Sequence, residues 1–415
     1  MNYGNDTPIV LSDFATKETG RVMGKIMQSL ATRSIWTNVI KGGNFPAGMG
    51  DTLRTVVQLP SITSGLNYAK PALVDFNSIC GNLGLQAKHS TTEYSTKLQA
   101  LRGRGPDICV NQGYGAFKGW LEMAIDALVK DTRLIRDAID RSQVYALSGT
   151  KYSCVSTLGF NARIAGGTEQ SLGIVPVATL PNSPLSFTGL RNLVSFVKED
   201  LFAEPYNMKV QETGGYDHFA LFIGSQEIID AFRRETAVQS SLNALAMGGF
   251  KFGEKALTGM NFQTAGAWQG IAMQADQFAL RYDAIGDGNN GTTLGVPVFI
   301  SPFIEVVDDA NTNRSHRAPN PAYRAATYEV GFLLFENALE RLVPERYTGE
   351  GTAKFDPRLG NGELKWHYMI DNTSNQFGDF GFHKYEFIQA YRPLRPQHLV
   401  TVHYKRCPLT DLTAC

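Results

Sequence analysis

Two groups of side chains in this sequence have types and spacings that suggest chemistry. Asp308 and Asp309 stand beside Asn311 and Asn313, an oxygen-rich run of the kind that ligates calcium, and His398 and His403 lie close together near the end of the chain. The acidic run lacks the turn glycine and closing glutamate of a calcium loop, so it reads as a solvated loop. On a strand, the odd separation of the two histidines turns them to opposite faces, which opposes joint metal ligation. GYGAFKG, starting at Gly113, opens a helix as a dinucleotide-binding loop would, but no buried strand precedes it and its spacing differs. The chain has no GxxxxGK[ST], HExxH, CxxC or GxSxG pattern. Cys80, Cys109, Cys154, Cys407 and Cys415 are odd in number and never closely paired, which reads as free thiols in a reducing compartment. No catalytic residue, cofactor or metal site is therefore expected.

A third group is positional. Lys17, Arg21 and Lys25 are four apart on a short amphipathic helix, Ser12 to Thr32, whose apolar side carries Phe14, Val22, Ile26 and Leu30. The row is either a solvated face or a contact for a polyanion or acidic partner.

The elements around these groups matter more than the groups do. A glycine-rich stretch, GGNFPAGMGD, follows Trp36 and reads as a hinge. Asp51 to Gly105 is then rich in Ser, Thr and Gly, and its second half alternates Thr92, Tyr94, Thr96, Leu98 and Ala100 against Glu93, Ser95, Lys97 and Gln99. Folded back as a hairpin it would reach about 80 Å at roughly 3.3 Å per residue. A compact body of this length has a radius of gyration of about 22 Å, so such a hairpin would overshoot its own body. Neither face is apolar enough to found a core, and an exposed hairpin is marginal unless something packs on it.

The hairpin runs almost directly into a long helix, Ala116 to Leu147. Phe117, Leu121, Ala124, Ile125, Leu128, Ile135, Ala138, Ile139 and Ala146 form its apolar stripe. Asp126–Lys130, Arg133–Asp137, Arg136–Asp140 and Asp137–Arg141 are i,i+4 pairs that mark the opposite face as solvated. Gly149 is the expected stop. Tyr152 to Leu185 reads as irregular. Thr188 is an expected N-cap for a helix through Leu201, His218 to Ile223 is a buried strand, and Ser225 caps a helix with Glu227 in its first turn. Leu294 to Ile300 is a further strand. From Tyr328 onward half-buried antiparallel strands dominate and suit the apolar face of the long helix.

With 39 basic and 39 acidic residues the formal charge is zero, so no global field recruits nucleic acid or an anionic membrane. At 43% hydrophobic and 11% aromatic the chain can build a sizeable core. The N-terminus lacks a secretory pattern, and the longest apolar run, Val330 to Phe335, is far short of the ~20 residues a membrane span needs.

The basic N-arm, the hinge running into DTLRTVVQLP, the extended segment, the helix FKGWLEMAIDALVKDTRLIRDAID, the unit HFALFIGSQEIIDAFRRE, the strand GVPVFIS and the late strand GFLLFENALERL together resemble the major capsid protein of tailed bacteriophages. The resemblance implies an α+β, Hong Kong 97-type capsid fold. It divides the chain into an N-terminal arm (1–50), an extended loop hairpin (51–107), a peripheral domain with the long spine helix (108–185), an axial domain (186–325), and peripheral long strands returning to the axial domain (326–415).

That family implies a non-enzymatic subunit forming hexamers and pentamers of an icosahedral virion shell around double-stranded DNA, assembled in the host cytoplasm with no membrane. Its implied partners are a separate scaffolding protein, a portal protein, DNA bound non-specifically and, in some members, a decoration protein. Leu59, Tyr68, Lys70, Tyr94 and Leu98 become inter-subunit residues of the extended loop, and Lys17, Arg21 and Lys25 inner-face contacts. Two alternatives stay open: an encapsulin-like compartment enclosing an enzyme, and a cytoplasmic hydrolase whose acids and histidines converge only in three dimensions.

Overall fold

The structure, a computed structural model, describes residues 34–45, 52–58, 62–64, 86–88, 91–109, 117–148, 150–154, 174–176, 181–199, 203–209, 216–235, 266–268, 271–286, 296–309, 314–344, 364–370, 380–395 and 398–406. A short helix α1 (Ile35–Val39) leads into strand β1 (Lys41–Phe45). The extended segment supplies β2 (Thr52–Gln58), β3 (Ile62–Ser64), β4 (Gln86–Lys88), β5 (Thr91–Lys97) and β6 (Gln99–Cys109), and the long helix α2 (Phe117–Leu147) follows. Next come β7 (Thr150–Cys154), β8 (Ile174–Pro176), helix α3 (Phe187–Glu199), β9 (Tyr206–Lys209), β10 (Tyr216–Gly224) and helix α4 (Gln226–Arg234). The chain continues through β11 (Gly266–Trp268), β12 (Ile271–Ala275), β13 (Arg281–Gly286), β14 (Val296–Phe299), β15 (Phe303–Asp309), β16 (Arg314–Pro319) and helix α5 (Pro321–Ala325). It ends in β17 (Tyr328–Leu334), β18 (Leu339–Pro344), β19 (Leu364–Ile370), β20 (Phe380–Pro393) and β21 (Leu399–Lys405). The fold is α+β.

One large mixed sheet runs in the order β11-β12-β10-β17-β21-β7-β8, with β9 on β10 and β13 on β17, β14 in turn pairing with β13. On one face Phe222, Leu333, Val400, Val402 and Tyr404 pack with α3 and α4 through Leu190, Leu193, Ile229 and Phe232. On the other, Leu221, Ile223, Val330, Phe332 and Leu399 pack with Trp36 of α1 and Val144 of α2. Covered on both sides, the central strands read as unbroken apolar runs. This corrects the half-buried strands expected after Tyr328: in β21 both Val400 and Val402 and the intervening Thr401 and His403 are fully buried.

A second sheet runs β1-β18-β20-β19, with β6 also paired to β20. Its turn from β17 to β18 passes through Asn337, whose positive φ of 55° suits asparagine better than a bulkier residue. Of the stretch expected as a hinge, residues 36–45 are described and are built into the body, while 46–51 lie outside the described residues. Trp36 is buried in the core, β1 runs parallel to β18, and a Cβ on Gly43 would meet the Glu340 carboxylate at 2.3 Å. The glycine there permits close packing.

Other expectations shift by a residue or a partner. Ser225 caps α4 as expected, its hydroxyl accepting from the Ile228 N–H, with Glu227 in the first turn. Thr188 lies inside α3; Ser186 takes the capping role, accepting from the Gly189 N–H at 3.0 Å. Tyr152 is not in an irregular stretch, because β7 and β8 extend the large sheet. Asp308 and Asp309 fall in β15 rather than in a loop. The helix Ser12 to Thr32 and the stop at Gly149 lie outside the described residues.

Candidate functional site

From Thr91 to Cys109 the chain is almost continuously extended through β5, Leu98 and β6, roughly 60 Å at about 3.3 Å per residue. Its inner part, β6, is built into the second sheet, where Gln99 to Cys109 pairs antiparallel with β20. Its outer part, β5, pairs with β2 in a two-stranded ladder from Thr52↔Lys97 to Gln58↔Thr91, and β3 with β4 continues the hairpin. An arm therefore grows out of a body sheet.

The arm is rooted by a small apolar cluster. Leu53 of β2 and Leu98 pack against Phe45, Leu342 and Ala390, and Thr96 is buried beside them. Thr52, Arg54, Ser95 and Lys97 are exposed. Of the residues expected to act between subunits, Leu98 thus sits at the root within its own subunit, and Tyr94 lies in β5 opposite Thr55. Leu59, Tyr68 and Lys70, like Lys17, Arg21 and Lys25, lie outside the described residues.

Behind the root stands α2, and its charges do the anchoring. The expectation of a solvated face carrying Arg136–Asp140 and Asp137–Arg141 is overturned. Arg136 and Asp140 are fully buried 3.5 Å apart, and Asp140 also receives Arg341 of β18 at 3.4 Å and the Tyr391 hydroxyl of β20. Burial, and next to it the Asp140 charge, push the Tyr391 phenol well above its ordinary range. Arg141, one residue on, makes a bidentate pair with Asp276 just after β12, at 2.6 and 2.7 Å. The Trp36 indole and the Phe278 N–H each donate to the same carboxylate at 3.0 Å. Burial raises the Asp276 pKa, but the Arg141 charge and these hydrogen bonds more than reverse it, leaving it below the usual range.

Asp137, one turn before Arg141 on the same side of the helix, accepts from the Ser34 hydroxyl just ahead of α1. Burial lifts its carboxyl to about 6, against that hydrogen bond and the Arg141 charge. Thr132, Arg136, Asp140, Val144 and Ser148 make a buried row at four-residue spacing. The expected stripe residues Ala138 and Ala146 are exposed. The physical reason is that α2 packs against two sheets that both supply counter-charges, so its charged row has somewhere dry to go.

Two further buried polar groups tie the large sheet together. Glu329 of β17 accepts from Arg281 at 2.9 Å and from the Tyr404 hydroxyl at 2.6 Å, while Arg406 holds Glu227 of α4 at 2.7 Å. His403 lies between the Tyr282 and Tyr145 hydroxyls at 2.9 and 3.4 Å, and burial with nearby Lys151 holds it down at about 3, so it is neutral. His398 instead bridges Glu336 and Glu204 backbone atoms, so the two histidines do not converge. Among the described residues, no group of three His, Cys, Asp or Glu side chains is placed to hold a metal ion, and no helix is long and apolar enough to cross a membrane. Cys154 is a buried thiol that donates to the Pro184 carbonyl at 3.4 Å.

No family model matches the chain, and no curated protein matches it. Among solved structures it is similar to the cyanophage Pam1 capsid asymmetric unit, at 10% identity over 90% of this chain and 93% of the other, with a TM-score of 0.46. It is similar to the capsid of Ralstonia phage GP4, at 10% identity over 91% and 92%, TM-score 0.45. A third likeness is to the holo-SrpI encapsulin complex of Synechococcus elongatus, at 11% identity over 88% and 84%, TM-score 0.34.

Proposed function

We propose that this chain is the major capsid protein of a tailed-phage-type virion, with copies closing into rings of five and six that build a shell around double-stranded DNA. The observation that carries this reading is the Thr91–Cys109 run, half a strand of a body sheet and half a strand of a separate two-stranded ladder. A two-stranded ladder whose described polar residues Thr52, Arg54, Ser95 and Lys97 are exposed gains little for its own subunit. Anchored through a sheet and a buried ionic helix face, it is suited to lie on a neighbour. The subunit acts by assembly, with no catalytic step of its own.

In this reading Leu59, Tyr68, Lys70 and Tyr94 belong to the arm surface that meets adjacent copies, and Lys17, Arg21 and Lys25 face the interior and its DNA or scaffold. A scaffolding protein, a portal and, on the outside, a decoration protein are the partners of assembly in the host cytoplasm.

The test shortens the arm without touching its root. Gln58 and Thr91 are directly opposed, so replacing residues 59–90 with an Asn-Gly turn closes the hairpin with a turn of the right hand. Expressed with and without the neighbouring scaffolding gene, the full chain should give closed shells or five- and six-membered rings by negative-stain microscopy, carrying DNA in infected cells. The shortened chain should melt like the parent yet form no shells. Compact small oligomers from the full chain in both samples would overturn the capsid reading, and shells filled with an enzyme would replace it with a cargo compartment.

A further inference from the structure

β15 and β16 form a two-stranded sheet of their own, outside both main sheets. The register pairs Ile304↔Ala318, Glu305↔Arg317 and Val306↔His316, with an irregularity before Asp309↔Arg314. Charge is sorted by strand. β15 carries Glu305, Asp308 and Asp309 with no basic residue, and β16 carries Arg314, His316 and Arg317 with no acidic one. Each strand has an outer edge that, among the described residues, pairs with nothing. The exposed large apolar groups among those residues are here as well: Ile304 in β15 is 39% exposed, and Val298 in the adjoining β14 is 54% exposed.

Proteins commonly blunt such edges with charge. Charges mixed over both strands would repel or ignore any approaching copy. The register sets Glu305 opposite Arg317 and Asp309 opposite Arg314 within the hairpin, yet one strand stays net acidic and the other net basic, so the favoured arrangement lays the acidic edge of one copy along the basic edge of the next. That contact is heterologous, and it propagates head to tail until a rotation closes the ring.

We propose that the β15 edge of each copy docks on the β16 edge of its neighbour, hairpin to hairpin from copy to copy, with Ile304 covered in the contact. The proposal rests on the shell reading and adds which surface sets the direction of the ring. A second copy is the chosen occupant because the two edges are complementary to each other in charge.

The test is a mixing experiment. Glu305→Lys with Asp309→Lys makes both edges basic, and Arg314→Glu with Arg317→Glu makes both acidic; each also sets like charges across its own hairpin, so recovery on mixing, and not the loss alone, carries the test. Alone, each variant should form rings about tenfold less readily than the parent, from two attractions turned into repulsions per contact. The loss should shrink in 1 M salt, where the screening length is about 3 Å. Mixed one to one, the variants should recover rings of alternating copies. Alternation closes with six members and fails with five, so hexamers should return without pentamers. Native mass spectrometry counts both.

Wild-type protein supplies a measurement that does not depend on the variants folding. Amide exchange over 303–319 should slow in rings relative to free subunits. Rings whose 303–319 amides exchange as in the free subunit would overturn the hairpin contact and leave the shell reading standing. So would full ring formation by either variant alone, or a mixture of well-folded variants that recovers nothing. A parent chain that forms no rings would overturn both.

Discussion

Replacing Arg141 with Met keeps the length of the side chain and removes its charge from a site that is almost dry. The Asp276 carboxylate, 4% exposed, is then left with the Trp36 indole and the Phe278 N–H as donors and no counter-ion. Breaking a buried pair on one side costs about 3–5 kcal/mol, a large part of the roughly 5–15 kcal/mol that holds a domain folded. The pH dependence is the sharper signature. In the parent the Asp276 pKa lies below its unfolded value, so its contribution is present above about pH 4 and is lost as acid titrates the folded carboxyl. Without Arg141 burial dominates and lifts that pKa above the unfolded value, so the variant should recover stability as pH falls from 7 toward 4. Urea unfolding of unassembled subunits, followed by circular dichroism, should show a deficit of about 3–5 kcal/mol at pH 7 shrinking to about 1–2 kcal/mol near pH 4. A deficit under about 1 kcal/mol at pH 7, or one that grows with acid, would refute the buried pair as described.

Asp137→Asn should raise the urea midpoint at pH 7 and flatten its pH profile: with the folded carboxyl at about 6, above the unfolded ~3.9, the parent gains at most about 3 kcal/mol as pH falls from 7 to 4. Parallel profiles for the two proteins would count against this. His403, held at about 3, contributes fully above its unfolded pKa of about 6.5 and loses about 1.4 kcal/mol per pH unit below it. His403→Gln should remove that acid sensitivity in unfolding titrations. Gly331→Ala places a Cβ 2.8 Å from two ring carbons of the fully buried Phe222, so overpacking should cost about 1–3 kcal/mol in urea unfolding. An unchanged midpoint there would mean that the ring has room to turn.

Much of the framework was legible because its signals are local. The long helix ends at Leu147 as its periodicity indicates, Ser225 caps α4, and alternation from Thr92 to Ala100 marks β5 and the start of β6. The arm was legible for the opposite reason, an absence of apolar periodicity over a long extended stretch. What failed was the side on which α2 is wet. Arg136–Asp140 has the same spacing whether water or a second arginine completes it, and the completing groups, Arg341 and Asp276, lie far along the chain with no pattern of their own. The stripe residues Ala138 and Ala146 are small enough to be tolerated outside. Gly43 misled for a related reason: a glycine packed against the Glu340 carboxylate reads, one-dimensionally, like a glycine required by a turn.

The consecutive residues Asp140 and Arg141 answer to different sheets. Asp140 holds β18 and β20 through Arg341 and Tyr391, while Arg141 holds the large sheet through Asp276. The arm reaches this point in few steps, since Leu53 and Leu98 pack on Leu342, the neighbour of Arg341 in β18. A displacement of the arm root therefore bears on β18, then on Asp140, and through a single helical step on Arg141 and the body. Apolar packing alone would let a helix slide or roll by a side chain's width at small cost. A bidentate guanidinium–carboxylate pair is directional and has no comparable second position. The interior thus spends buried charge where two sheets and an arm must keep one register on one helix.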